Sequence, residues 1–205
     1  MFDHNQVINE QEAYLLGFLY ADGSVNQFRY GKYRILSVGL SDKDRDYLQM
    51  IVDIFNQNYN KNYVIKEHIK NKSCKFVFCL CKPIQQLIRL GIHHNKTYEN
   101  DDFVFLNVPD EFKRHFVRGY FDGDGSIVIY HKKATIGFVS LNNKLLSTML
   151  DYFHSIGFRG TIRMDGKYTR LYFSGNPSCK NFLDWLYHEA NIYMCRKYQI
   201  YQQIP

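Results

Sequence analysis

One short pattern occurs twice in this chain. Leu15-Leu16-Gly17-Phe18-Leu19-Tyr20-Ala21-Asp22-Gly23-Ser24 stands near the N-terminus, and Val117-Arg118-Gly119-Tyr120-Phe121-Asp122-Gly123-Asp124-Gly125-Ser126 stands past the midpoint. Gly17 and Gly119 are 102 residues apart (119 − 17), and so are Asp22 and Asp124 (124 − 22). Each copy reads as an apolar helical run carrying a small residue at every fourth position: Ala13, Gly17 and Ala21 are so spaced in one, and His115, Gly119 and Gly123 have the same spacing in the other. Residues four apart share a helix face. Small residues at that interval let two backbones approach closely, for steric reasons that hold in water as in lipid. The pattern therefore predicts two helices packed side by side. Leu15, Leu16, Phe18, Leu19, Val117, Tyr120 and Phe121 would bury against the rest of the molecule, and Asp22 and Asp124 would lie at adjacent C-terminal ends.

That placement is electrostatically costly. A helix C-terminus carries partial negative charge, and two carboxylates there repel the dipoles and each other. Divalent cations would compensate, since carboxylates and backbone carbonyls are hard oxygen ligands suited to magnesium. Gly23 and Gly125 are expected to take positive φ, ending each helix and freeing the carbonyls of Ala21 and Gly123. Asp122-Gly123-Asp124-Gly125 superficially suggests an EF-hand, but the strand-like Ile127-Val128-Ile129 stands where further acidic ligands are required.

The repetition extends beyond the motifs. Strands are predicted over Ser24–Tyr30 and Tyr33–Leu40, and again over Ile127–His131 and Ala134–Leu141, with turns at Tyr30-Gly31-Lys32 and His131-Lys132-Lys133. Ser41 and Asn142 then read as helix N-caps. Each half adds a strand pair, Tyr63–Ile69 with Lys75–Leu80 and Thr161–Met164 with Tyr168–Phe173, and ends in a helix after Pro83 or Pro177. The expected architecture is α+β: two αββαββα halves with antiparallel sheets about a central helix pair. The polar, acidic stretch from Asn95 to Leu106 is the natural linker, giving halves 1–98 and 108–205 about a linker at 99–107.

Composition narrows the class. With 16 Phe and 17 Tyr among 205 residues, a packed core is available. No stretch is apolar for the roughly 18 residues a membrane span needs, and the N-terminus lacks the pattern of a secretory signal. Five cysteines without such a signal suggest reduced thiols and an intracellular protein. Cys74, Cys79, Cys81, His93 and His94 do not match paired-cysteine zinc spacing and read as core cysteines beside unrelated histidines. The net charge of +6 is spread along the chain, so a polyanion would be met only if the fold gathers cations on one surface.

Leu15–Gly23 and Val117–Gly125 match the nine-residue signature of LAGLIDADG homing endonucleases, and the chain resembles their single-chain, two-motif type, with strand and helix order similar over nearly its whole length. The resemblance implies that the eighth motif positions, Asp22 and Asp124, are metal-binding acids and that the seventh, Ala21 and Gly123, offer backbone carbonyls. The sixth position, often acidic, is Asp122 in one motif but Tyr20 in the other. The family also has a basic residue near each active site. Lys96 and Lys197, 101 apart (197 − 96), fit, with Arg196 competing for the second place. Asp42 and Asn143 are candidates for a polar residue near the water network.

What the resemblance implies functionally is site-specific, magnesium-dependent cleavage of double-stranded DNA across the minor groove, leaving short 3′ overhangs. Manganese is expected to substitute, and calcium to bind without supporting cleavage. The chain would act as a monomer, with each half serving one strand. Sheet side chains would read the major groove. The candidates are Asn26, Phe28, Tyr30, Lys32, Lys66, His68 and Lys70 in the first half, and Val128, Tyr130, Lys132, Arg163, Lys167, Arg170 and Tyr172 in the second. An intron-RNA-binding maturase and a catalytically inactive DNA-binding regulator are the alternatives.

Overall fold

The computed structural model describes residues 1–205 except 3, 5, 29–32, 95, 97 and 98, and does not describe the side chains of residues 27, 28 and 33. Helix α1 (Glu10–Asp22) starts where the Asn9 side chain accepts from Glu12 N at 2.8 Å, with Glu10 and Glu12 favourably placed in its first turn. It leads into β1 (Gly23–Phe28) and β2 (Tyr33–Ser41). A 3₁₀ turn (Asp42–Asp44) precedes α2 (Arg45–Tyr59), and β3 (Lys66–His68), β4 (Ser73–Phe78) and α3 (Cys81–Arg89) follow. After α4 (Phe103–Leu106) the second half runs α5 (Asp110–Asp124), β5 (Ser126–Tyr130), β6 (Lys133–Ser140), α6 (Asn143–Ser155), β7 (Thr161–Asp165), β8 (Tyr168–Ser174), α7 (Asn176–Tyr187) and α8 (Cys195–Tyr201).

Both sheets are four-stranded and antiparallel with matching orders, β1-β2-β4-β3 and β5-β6-β8-β7. One face of each is buried: Val25, Leu36, Val38, Cys74, Phe76 and Phe78 in the first, Ala134, Ile136, Phe138, Leu171 and Phe173 in the second. Helices α2 and α3 cover the first sheet and α6 and α7 the second, while α1 and α5 pack against each other. The first hairpin is two residues longer: Ser24 pairs with Ser37 but Ser126 with Gly137. The repeat of 102 therefore shortens to 100 across it (137 − 37). Among the described residues, no helix is long and apolar enough to cross a membrane.

Several expectations need correction. Gly23 (φ −79°) and Gly125 (φ −73°) are extended, not left-handed. Glycine is required there because a Cβ would lie 2.4 Å from Leu19 O at Gly23 and 2.2 Å from the Phe121 ring at Gly125. The strand expected over Tyr63–Ile69 shrinks to Lys66–His68. Asn56 of α2 takes both backbone groups of Tyr63 (Oδ1 from its N at 2.7 Å, Nδ2 to its O at 2.9 Å), and Ile69–Asn71 turn into a 3₁₀ helix. The linker contains α4, with Val104 and Phe105 buried. Cys74 and Cys179 are core residues, but Cys79, Cys81 and Cys195 are exposed, since β4 ends at Phe78 and Cys81 opens α3. Helix α8 was not foreseen as an element separate from α7.

Candidate active site

The small residues of the two motifs act as the spacing implies. A Cβ on Gly17 would stand 2.0 Å from Phe116 O, and one on Gly119 1.9 Å from Tyr14 O. One on Gly123 would meet Ala21 Cβ at 2.3 Å and Asp22 Oδ2 at 3.1 Å. Helices α1 and α5 thus touch backbone to backbone, and the Asp22 carboxylate rests on the last turn of α5. His115 takes no part as a small residue: its buried ring approaches Glu10 Oε1 at 3.3 Å, and burial pushes its pKa down to about 4.

Each carboxylate borders its own cavity. Asp22, half-buried, opens onto a cleft of about 640 Å³ whose walls include Gly123, Ser41, Asp44, Lys72 and Arg196. Asp124 borders a cavity of about 30 Å³ with Ala21, Tyr20, Lys96, Ser140 and Asn142. Each acid therefore meets the seventh motif position of the opposite helix. Burial, and then the charge of Asp124, push the Asp22 carboxyl up to about 7, against the pull of Lys197 and Lys96. Asp124 is more open to solvent, yet the surrounding protein still raises its pKa, opposed by the same two lysines.

Lys96 and Lys197 are both buried, and both reach the carbonyl end of a motif helix. Lys197 Nζ donates to Phe121 O (2.6 Å), Asp122 O (2.8 Å) and Gly123 O (3.2 Å). Lys96 Nζ donates to Gly23 O. At the end of α5 these bonds supply donors to the Asp122 and Gly123 carbonyls, while Phe121 O also accepts from Gly125 N at 2.8 Å. Burial lowers both pKa values, that of Lys197 to about 8. Arg196 is exposed instead and forms a two-pronged ion pair with Asp44 (2.9 and 3.1 Å) on the rim of the Asp22 cleft. Asp42 and Asn143 are exposed and line neither cavity; Ser41 and Asp44 border one, Ser140 and Asn142 the other. Asn142 was legible only as an N-cap. Asp44 sits too close to a helix start to have been read otherwise.

The sixth motif positions differ sharply. Asp122 is fully buried and accepts from Tyr14 OH (2.7 Å), Tyr187 OH (3.1 Å) and Met194 N (2.9 Å). Tyr14 OH also bonds Tyr47 OH at 2.7 Å. Burial raises the Asp122 carboxyl, and the three donors oppose this. Tyr20 accepts instead from Asn142 Nδ2 at 3.1 Å, and burial raises its pKa to about 12.

The sheet faces away from the core carry the other candidates. Asn26 lies opposite Ile35, and His68 opposite Ser73. Lys66 faces Lys75, which itself faces Gly39. In the second half Arg163 faces Arg170, which faces Val139. The same rung of each sheet thus sets two cations directly opposite, an arrangement that destabilises an isolated sheet. Lys75 is an addition that the sequence reading missed, for its strand reads as apolar. Asp165 partly offsets Arg170 at 3.0 Å. Val128 and Tyr130 are exposed, and Tyr172 is half-buried opposite Gly137. Lys70 lies in the 3₁₀ turn, Lys132 (φ 61°) in the β5–β6 turn, and Lys167 between β7 and β8 over the Tyr168 ring, so these three sit at strand ends rather than on a strand face. Phe28 has only its backbone described; Tyr30 and Lys32 lie outside the described residues.

Comparison with known proteins agrees with this architecture. Residues 111–194 match the family model described as a LAGLIDADG-like domain. The solved structure of the LAGLIDADG meganuclease I-AabMI bound to uncleaved DNA is 15% identical with a TM-score of 0.64, covering 96% of this chain and 89% of that one. The I-LtrWI LAGLIDADG homing endonuclease bound to target DNA is 12% identical (TM-score 0.60; 96% and 90% coverage). I-SmaMI, bound to an uncleaved DNA target in the presence of calcium ions, is 13% identical (TM-score 0.61; 96% and 90%). A DNA polymerase of Acanthamoeba polyphaga mimivirus is 28% identical over 122 residues, which are 58% of this chain but only 7% of that protein. The second half of the chain, with its copy of the motif, thus matches a LAGLIDADG-like domain, and the whole chain shares the fold of these LAGLIDADG structures.

Proposed function

We propose that the chain is a site-specific DNA endonuclease that hydrolyses one phosphodiester on each strand with divalent metal. The observation that carries this reading is the pairing, at both helix ends, of an aspartate with a carbonyl-bearing residue of the opposite helix and a buried lysine. The donor set fits a hard cation: burial raises the pKa of both acids, the charge of Asp124 raises that of Asp22 further, and the available ligands are oxygens. Asp22 with Gly123 O, and Asp124 with Ala21 O, would hold magnesium, with manganese as a substitute and calcium binding without turnover. When bound, such ions supply an activated water, charge relief at the phosphate and a stabilised leaving oxygen.

The chain's own residues have separate tasks. Lys96 and Lys197, kept partly dry, place positive charge beside the acids and can offset developing charge on the phosphate. The two cationic rungs lie on the open faces of the sheets, where phosphate or base contacts would relieve their repulsion. Both motifs lie in one chain, so a monomer suffices. Different side chains at matching places, such as Lys66 against Arg163, suit an asymmetric target. The test is incubation with a randomised duplex library in magnesium, with calcium as control. Discrete double-strand cuts are expected; Asp22→Asn and Asp124→Asn should each abolish them while DNA binding persists. Full cutting by both variants would overturn the assignment.

A further inference from the structure

We propose that Asp122 is a positioning residue for Lys197, and that it serves the Asp22 centre alone; this rests on the endonuclease reading above. A closed set of bonds joins the two residues. Met194 precedes the first residue of α8, and no side chain caps that helix. Its N–H goes to Asp122 Oδ2 at 2.9 Å, while Met194 O receives Lys197 N at 3.0 Å. The lysine then returns its Nζ to the main-chain oxygens of Phe121, Asp122 and Gly123. Asp122 therefore fixes where α8 begins, and its own carbonyl receives the side chain that α8 delivers. One turn earlier, Arg118 Nε grips Ile192 O at 3.0 Å, so α5 fixes the approach to α8 from two points.

Among the described residues no buried carboxylate holds the segment of Lys96, which is tied instead by His94 Nδ1 at 3.2 Å from Val25 O and by His93 Nε2 at 2.6 Å from the exposed Glu99. The residue corresponding to Asp122 is Tyr20 (122 − 102), whose hydroxyl bonds Asn142 of the other half. The residue corresponding to Tyr14 is Phe116 (14 + 102), which has no hydroxyl. The carboxylate and its tyrosine donor are thus both missing from the other side. Orienting a charged group is worth a large rate factor; a misplacement of about 1 Å can cost about a hundred-fold. Loosening Asp122 should therefore slow hydrolysis of one strand and spare the other, which serves in the same molecule as a control for folding.

The experiment uses the full chain and a duplex containing a cut site from the library, labelled separately on each strand. Lys197→Ala identifies the strand served by the Asp22 centre. Asp122→Asn is expected to slow that strand about ten-fold or more, leave the other within about two-fold, and accumulate nicked duplex. Tyr187→Phe, which removes only one donor, should do the same more weakly. The double variant Asp122→Asn/Lys197→Ala should be no slower than Lys197→Ala, because both changes act through one group. Equal slowing of both strands by Asp122→Asn, or additive losses in the double variant, would overturn the positioning role. Absence of cutting by the unmodified chain would instead overturn the endonuclease reading.

Discussion

Replacing Asp22 by Asn should stabilise the metal-free protein at neutral and alkaline pH. An aspartate that ordinarily titrates near 3.8 is pushed up to about 7 here, chiefly by burial and then by Asp124. Below pH 3.8 the carboxyl is protonated in the folded and unfolded chains alike, and folding carries no penalty. Between 3.8 and 7 the unfolded chain ionises while the folded one resists, so stability falls as pH rises; above 7 the penalty is constant. Three pH units correspond to about 4 kcal/mol. Asp22 keeps some contact with solvent, and screening there reduces the expected figure to about 2 kcal/mol. For a chain of this length that is a rise in Tm of about 4–8 °C. The assay is thermal unfolding in chelator at pH 4 and pH 8. Asp22→Asn should exceed the unmodified chain at pH 8 and match it near pH 4. Magnesium should then raise the Tm of the unmodified chain more than that of the variant. A variant less stable at pH 8, or a gain independent of pH, would refute the idea that these acids are held together at a cost.

Gly17→Ala and Gly119→Ala should each cost at least about 3 kcal/mol in denaturant unfolding, because the intruding Cβ meets backbone oxygen rather than a movable side chain. Near-native stability of either would mean that the helices are not in contact as described. Lys66→Gln or Arg163→Gln should weaken DNA binding and lower the slope of log affinity against log salt by about 1, with stability changed by no more than about 0.5 kcal/mol; an unchanged slope would remove these rungs from the DNA surface. Lys197, at about 8, loses its charge as pH rises through that value. Cutting of the strand it serves should decline there, and Lys197→Arg should move the decline upward; a profile identical for both strands and both proteins would count against its charge as the active property.

The parts legible from sequence were those whose cause is local and repeated. The four-residue spacing of Ala13, Gly17 and Ala21 announced a close helix contact, and the doubled Asp-Gly placed the acids. Strand alternation at Leu36 and Val38 gave the buried sheet face. What escaped depends on contacts between distant segments. Tyr63 looked like a strand residue because nothing in its neighbourhood reveals that Asn56 holds its backbone. The glycines after the aspartates suggested left-handed caps, whereas the demand for them comes from Leu19 O and the Phe121 ring. Asp44 became a rim residue only through Arg196, 152 positions away. Asp122 could be recognised as a motif position, but its buried partners come from α1, α7 and the start of α8.

The contrast between Tyr14 with Asp122 and Phe116 with Tyr20 also bears on how the halves choose partners. Two nearly equivalent helices could in principle meet their own copies on another molecule. Two second halves so joined would set Phe116 against Asp122 and bury a carboxylate that has lost its tyrosine donor. Two first halves would set Tyr14 against Tyr20, crowding two phenols where a short acid fits one. Only the mixed pairing satisfies both positions. The helix faces that bring the two aspartates together are thus complementary rather than identical, with Tyr14 on one bonded to Asp122 on the other.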